Sequence, residues 1–188
     1  MRIAPLAAFA LSLALPATSY ALDLTPQFAD LDSDGLRMRT PFFHDGAKRV
    51  FIKPPNGWKI EGSSQRAVLF SDRTPHSSIA LMLSPKPMLP TTEAERKIVR
   101  DTVLALAGKD AEKVILEAET PDPLPLNGWK TFDFRIAFTT SGVRQVKSVM
   151  LVRLNAFEEL QVVVSGPQNE FGQASSAAMT CLRTWHKQ

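Results

Sequence analysis

Trp129-Lys130-Thr131-Phe132-Asp133-Phe134-Arg135-Ile136-Ala137-Phe138-Thr139 alternates aromatic and aliphatic residues with polar ones. Two more alternating runs follow it. Arg144–Leu154 carries Val146, Ser148, Met150, Val152 and Leu154 on one parity, with Gln145, Lys147 and Arg153 on the other. Glu159–Ser165 sets Leu160, Val162 and Val164 against Gln161 and Ser165. A period of two, in residues that are largely aromatic or β-branched, is the pattern of pleated strands. Residues 128–165 are expected to form a three-stranded antiparallel meander, and the rest of the chain is read around it.

Loop length sets the register of such a meander. A three-residue loop Thr140-Ser141-Gly142 places Gly142 where positive φ is needed. It sets Thr139 opposite Val143, Ile136 opposite Val146 and Phe132 opposite Met150. A loop Ala156-Phe157-Glu158 sets Leu154 opposite Leu160 and Val152 opposite Val162. Both keep the even-numbered residues on one face, apolar apart from Ser148. The odd face then carries Asp133, Arg135, Lys147, Arg153 and Glu159 around Ala137, Val149, Leu151 and Val163. An apolar centre ringed by charge must be covered, by a helix of the chain or by another molecule. Arg135, Lys147, Leu151 and Arg153 are the candidate partner-binding residues of that face.

Upstream, Leu36–Phe43 and Arg49–Lys53 read as a hairpin around His44-Asp45-Gly46, and Trp58–Glu61, Arg66–Ser71 and Ser78–Ser84 as further strands. Both parities of Ser78–Ser84 are apolar, as in a central strand. Thr92-Glu93-Ala94-Glu95 is a capping box opening a helix that stops at Gly108. Lys113–Glu119 is another strand, and a last helix runs from Gly166-Pro167 to about Arg183. Asn56-Gly57-Trp58-Lys59 recurs as Asn127-Gly128-Trp129-Lys130. That echo fits a duplicated strand–strand–helix unit as well as it fits two ordinary Asn-Gly turns.

At 188 residues the chain can bury one substantial core. Met1-Arg2, the apolar run from Ile3 to Leu15 and the small residues Ser19 and Ala21 make the three-part pattern of a signal peptide cleaved after Ala21. Residues 1–21 are thus expected to be removed, residues 22–35 to be a loose lead-in, and residues 36–188 to form a single domain in the periplasm or secreted medium. Apart from the signal run, no stretch is apolar enough to span a bilayer. The net charge of +3 is not gathered into a Lys/Arg block or stripe, so nucleic acid is not an expected partner. The one cysteine, Cys181, excludes an intrachain disulfide and falls on a helical pattern with Ala174, Ala178 and Leu182, as a buried hydrophobe does.

Chemistry-bearing motifs are few. There is no Gly-rich phosphate loop, G-x-S-x-G, H-E-x-x-H or C-x-x-C, and no cofactor is expected. Asp30, Asp32 and Asp34 match the first half of a calcium loop, but the twelfth position is Pro41, so a polar turn is expected. Arg73 and His76 lie in the short loop Asp72–Ser77, a candidate contact surface.

The element order, with Pro55-Asn56-Gly57-Trp58 at the first strand run and Phe171 opening the last helix, resembles the PsbP-like family. The resemblance implies an α+β fold: an antiparallel sheet of six or seven strands flanked by helices, an α/β/α sandwich. It also implies a binding or assembly module rather than an enzyme, here an exported one with an envelope protein as partner. The alternative is a small hydrolase with a site built from the loops around His76 and the proline-rich connectors. Mass spectrometry of the exported protein is expected to find Leu22 at the N-terminus; an intact Met1 in the membrane fraction would count against export.

Overall fold

The computed structural model describes residues 22–33, 35–84, 86–123 and 128–188. In chain order the elements are β1 (Leu22–Ser33), β2 (Leu36–Asp45), β3 (Lys48–Phe51), β4 (Trp58–Ser63), β5 (Arg66–Ser71), β6 (Ser78–Ser84), α1 (Glu93–Ala105), β7 (Glu112–Pro121), β8 (Lys130–Thr140), β9 (Val143–Arg153), β10 (Glu159–Pro167), α2 (Gln168–Arg183) and β11 (His186–Lys187). They build a seven-stranded antiparallel sheet in the order β4-β5-β6-β10-β9-β8-β7 and a four-stranded sheet in the order β1-β2-β3-β11. The α+β class and the sheet flanked by helices are as the resemblance implied, and β6 does lie inside the large sheet. The hairpin read at Leu36–Phe43 and Arg49–Lys53 is β2–β3, and it belongs to a second sheet that the meander's alternation does not announce. Residues 22–33, expected to be a loose lead-in, are a strand paired along β2. Only Leu22 and Leu24 of β1 reach the core, so its backbone pairs without an alternating apolar row to announce it.

The register of the meander differs from expectation at one decisive place. Thr140 pairs with Val143, so the β8–β9 loop is the two residues Ser141 and Gly142. Both have positive φ, 51° and 76°. That is the type I′ turn, whose twist matches the twist of the strands it joins. One residue fewer in the loop reverses the parity across the hairpin: Ile136 now faces Lys147 and Phe132 faces Leu151. The second loop is longer than expected by an even number, with Arg153 opposite Glu159, so the parity between β9 and β10 survives. Asn155 Oδ1 organises that loop by accepting the Phe157 and Glu158 amides at 2.8 and 2.9 Å.

One face of the sheet therefore combines even residues of β8 with odd residues of β9 and β10. Phe132, Phe134, Ile136, Phe138, Val149 and Leu151 form a core with Val99 and Val103 of α1. The other face puts Ala137, Val146, Met150, Val152, Leu160, Val162 and Val164 beneath Phe171, Ala174, Ala178 and Cys181 of α2. Leu22, Leu24, Phe43 and Val50 of the small sheet, with Ile52 just after β3, join this second core. Trp185 bridges to them, with its ring centroid 5.8 Å from that of Phe43 and 5.9 Å from that of Trp129. A one-residue slip does not put the aromatic row into water here, because both faces are covered. The slipped register simply buries it under the other helix.

The α1 start is as read. Thr92 Oγ1 accepts the Glu95 amide at 3.2 Å and the Glu95 carboxylate accepts the Thr92 amide at 3.1 Å. The β8–β9 turn generates a test. Asn tolerates left-handed φ better than Ser does, so Ser141→Asn should raise stability by a few tenths to about 1 kcal/mol in chemical unfolding. In a three-residue loop Ser141 would not need positive φ, and the substitution would give no gain.

Candidate functional site

Two concavities flank the meander, one under each helix. Under α2, Asp133 and Arg135 of β8, Ser148 and Met150 of β9 and Val162 and Val164 of β10 form the floor of a cleft of about 270 Å³. Ser175, Ala178, Met179 and Arg183 of α2 form its roof, and Pro123 closes one side. The roof residues Ser175 and Ala178 are short, so the helix does not fill the space above the sheet. Asp133 is only 6% exposed. Its Oδ1 accepts the Ser148 hydroxyl at 2.5 Å. Burial pushes the Asp133 carboxyl above its usual range, against the smaller pull of Ser148 and of the Arg135 charge. The Arg135 guanidinium lies 5.5 Å from the Phe171 ring centroid, and its Nε is buried with no hydrogen-bond partner.

On the α1 side, the connector after β6 is held by Glu159, which is 0% exposed. Its carboxylate accepts the Met88 amide at 2.9 Å and the Leu89 amide at 2.7 Å, with Arg153 Nη2 at 3.5 Å. Charge-assisted bonds of this kind are stronger than neutral ones and fix backbone that proline cannot tie down. The pinned connector and α1 leave a groove of about 560 Å³ lined by Lys86, Pro87, Met88, Leu89, Thr91, Glu95, Ile98, Val99 and Arg153. Ile98 is 66% exposed on its wall.

The residues singled out from sequence do not share one surface. Arg135 lies in the α2 cleft and Arg153 at the α1 groove. Lys147 donates from Nζ to the Leu106 carbonyl at 2.5 Å, at the C-terminal end of α1 where a cation is favoured, and burial lowers its pKa. Leu151 is corrected outright: at 1% exposure beneath α1 it is core and cannot meet a partner. Arg73 and His76 stay exposed in the loop before β6. The His76 amide and the Ser77 hydroxyl both donate to Glu170 of α2, at 3.2 and 3.1 Å, which ties that loop to the helix. Asp30 and Asp32 sit in β1, with Asp30 paired to Arg37 at 2.9 Å; Asp34 lies outside the described residues. Among the described residues no three His, Cys, Asp or Glu gather as a metal site. Cys181 is buried and its thiol is pushed up to about 12, so it is no nucleophile at neutral pH.

The Asp133–Ser148 pair was missed from sequence. The three-residue turn puts the two on opposite faces, whereas the type I′ turn puts them on one. Its trace in the sequence is Ser148, the one hydroxyl in an otherwise apolar row.

No family model matches the chain, and no curated protein matches it. Among solved structures, LpqN, involved in cell envelope biogenesis of Mycobacterium tuberculosis, aligns with a TM-score of 0.52 at 12% identity. The match covers 86% of this chain and 91% of that one. The Saccharomyces cerevisiae Ran-binding protein Mog1p gives 0.47 at 15% identity, over 86% and 96%. Cyanobacterial PsbP from Synechocystis gives 0.45 at 12% identity, over 94% and 98%. The likeness to LpqN is one of fold.

The buried carboxyl gives a pH test. A folded-state pKa above the unfolded value means that the folded protein holds the proton longer. The Asp133 contribution is therefore most favourable at low pH. It declines as pH rises from the ordinary value of 3.8 through the raised one. Asp133→Asn, which keeps an acceptor for Ser148, should remove this component. The mutant's stability relative to wild type should rise across that window, read by chemical unfolding at a series of pH values. A pH-independent difference would place Asp133 outside the buried environment described.

Proposed function

We propose that the protein is an exported, non-enzymatic binding or assembly module of the bacterial cell envelope, PsbP-like in kind, that takes a protein partner in the groove between the 86–90 connector and α1. The observation that carries this reading is the groove itself. Its wall is pinned by a buried carboxylate before any partner arrives, so little ordering entropy is lost on docking. A large aliphatic residue, Ile98, stands exposed at its edge, with Lys86 and Arg153 on the rim. Apolar anchors beside a preformed pocket are where interfaces concentrate their binding energy, and a cationic rim selects an acidic border on the partner.

Export is supported by the residue pattern of Met1–Ala21. Among the described residues no helix is long and apolar enough to cross a membrane. The shared fold with a protein of mycobacterial envelope biogenesis points the same way.

The test is crosslinking capture from envelope extract with wild type and Ile98→Asp. An exposed helix position tolerates the change within about 0.5 kcal/mol, so the melting curve should be unchanged while the captured partner is lost. Retention of the same partner by the folded variant would take the groove out of the interface.

A further inference from the structure

The α2 cleft lies on the opposite face of the sheet from the groove, and its chemistry is different. Its apolar lining is Met150, Val162, Val164 and Met179. Its polar groups carry both signs of charge, and those charges are not spent on one another. Among the described residues Asp133 accepts one side-chain hydrogen bond, from the neutral Ser148 hydroxyl. Arg135 is close enough for its charge to be felt at Asp133, yet its Nε is buried without a partner and it makes no ion pair among the described residues. Arg183, exposed at the last turn of α2, lines the cleft and is likewise without an ion pair among the described residues.

A buried carboxylate and a half-buried guanidinium left unsatisfied are costly. Asp133 and Arg135 stand two residues apart on one strand face, so their Cα atoms are separated by about 6.6–6.8 Å. That leaves room for a donor and an acceptor side by side between them. A simple anion would meet the arginines but be repelled by Asp133; a simple cation would meet Asp133 but be repelled by Arg135. Only a ligand with both charges close together satisfies the site. The volume of about 270 Å³ falls below the range of ~300–1,000 Å³ usual for drug-sized ligands, which limits the occupant to a small molecule.

We propose that this cleft binds a small zwitterion with an apolar body, an amino acid with an apolar side chain. Its ammonium lies on Asp133, its carboxylate on Arg135 and Arg183, and its side chain against Met150, Val162, Val164 and Met179. This site is separate from the protein-docking groove and does not depend on it.

Isothermal titration of the purified protein tests this with free leucine, methionine and phenylalanine, and with N-acetyl-leucine and leucine amide as probes that each lack one charge. At least one free amino acid should bind, and each blocked leucine should bind at least tenfold more weakly than leucine. Arg183→Gln, an exposed change that leaves the fold alone, should weaken the free amino acid severalfold. Asp133→Asn should weaken it tenfold or more and abolish the preference for leucine over N-acetyl-leucine. Absence of binding by all three free amino acids would overturn the proposal. So would N-acetyl-leucine binding as tightly as leucine, which would make the cleft an anion site, or wild-type affinity in both variants. Ile98→Asp should leave this binding intact, so failure here and failure of the docking groove are told apart.

Discussion

The positive φ angles of Ser141 and Gly142 are the constraint on which the arrangement depends. A turn with both central residues left-handed closes β8 onto β9 with two residues, and two residues rather than three decide the parity between the strands. With that parity, the phenylalanine row of β8 meets Val149 and Leu151 under α1, and Asp133 meets Ser148 under α2. With the other parity the acid and the hydroxyl would lie on opposite faces and the α2 cleft would lose its polar floor.

The two buried carboxylates show how one sheet serves two purposes. Glu159, on the α1 side, is satisfied by two backbone amides and Arg153, and it spends that charge on pinning a proline connector that has few amides to offer. Asp133, on the α2 side, receives among the described residues a single neutral hydroxyl. A fully satisfied buried charge rigidifies its surroundings; a partly satisfied one keeps affinity for a further group. The groove and the cleft follow from this difference: the first is a preformed apolar wall, the second a pocket with charge left over.

The echo Asn56-Gly57-Trp58-Lys59 and Asn127-Gly128-Trp129-Lys130 has a structural counterpart that goes part of the way. Gly57 and Gly128 both have positive φ, at 86° and 74°, and each leads into a strand run. The strand order β4-β5-β6-β10-β9-β8 is symmetric about the β6–β10 pair. The helices break the symmetry. A two-fold relating those strands would put α1 and α2 on the same face, but α1 packs on the phenylalanine face and α2 on the other. The likeness is therefore one of strands and turns, and it does not extend to the helix-bearing halves.

What the sequence determined by itself was local. The strands Arg66–Ser71 and Ser78–Ser84, the Thr92–Glu95 capping box and the last helix through Arg183 follow from side-chain period and cap chemistry, which act within a few residues. Tertiary structure decided what lies beyond that range. Strand β1 joins a sheet through backbone pairing with little apolar alternation, and β11 is two residues that become a strand only because β3 is beside them. The register of the meander turned on one residue of loop length, and covering both sheet faces removed the solvent penalty that would have marked the wrong choice. The candidate sites were hidden for the same reason. Arg135 and Lys147 looked like neighbours on one face and lie on opposite ones, and Asp133 and Ser148 looked opposed and share a hydrogen bond, because side-chain neighbourhood across strands is set by pairing and not by position along the chain.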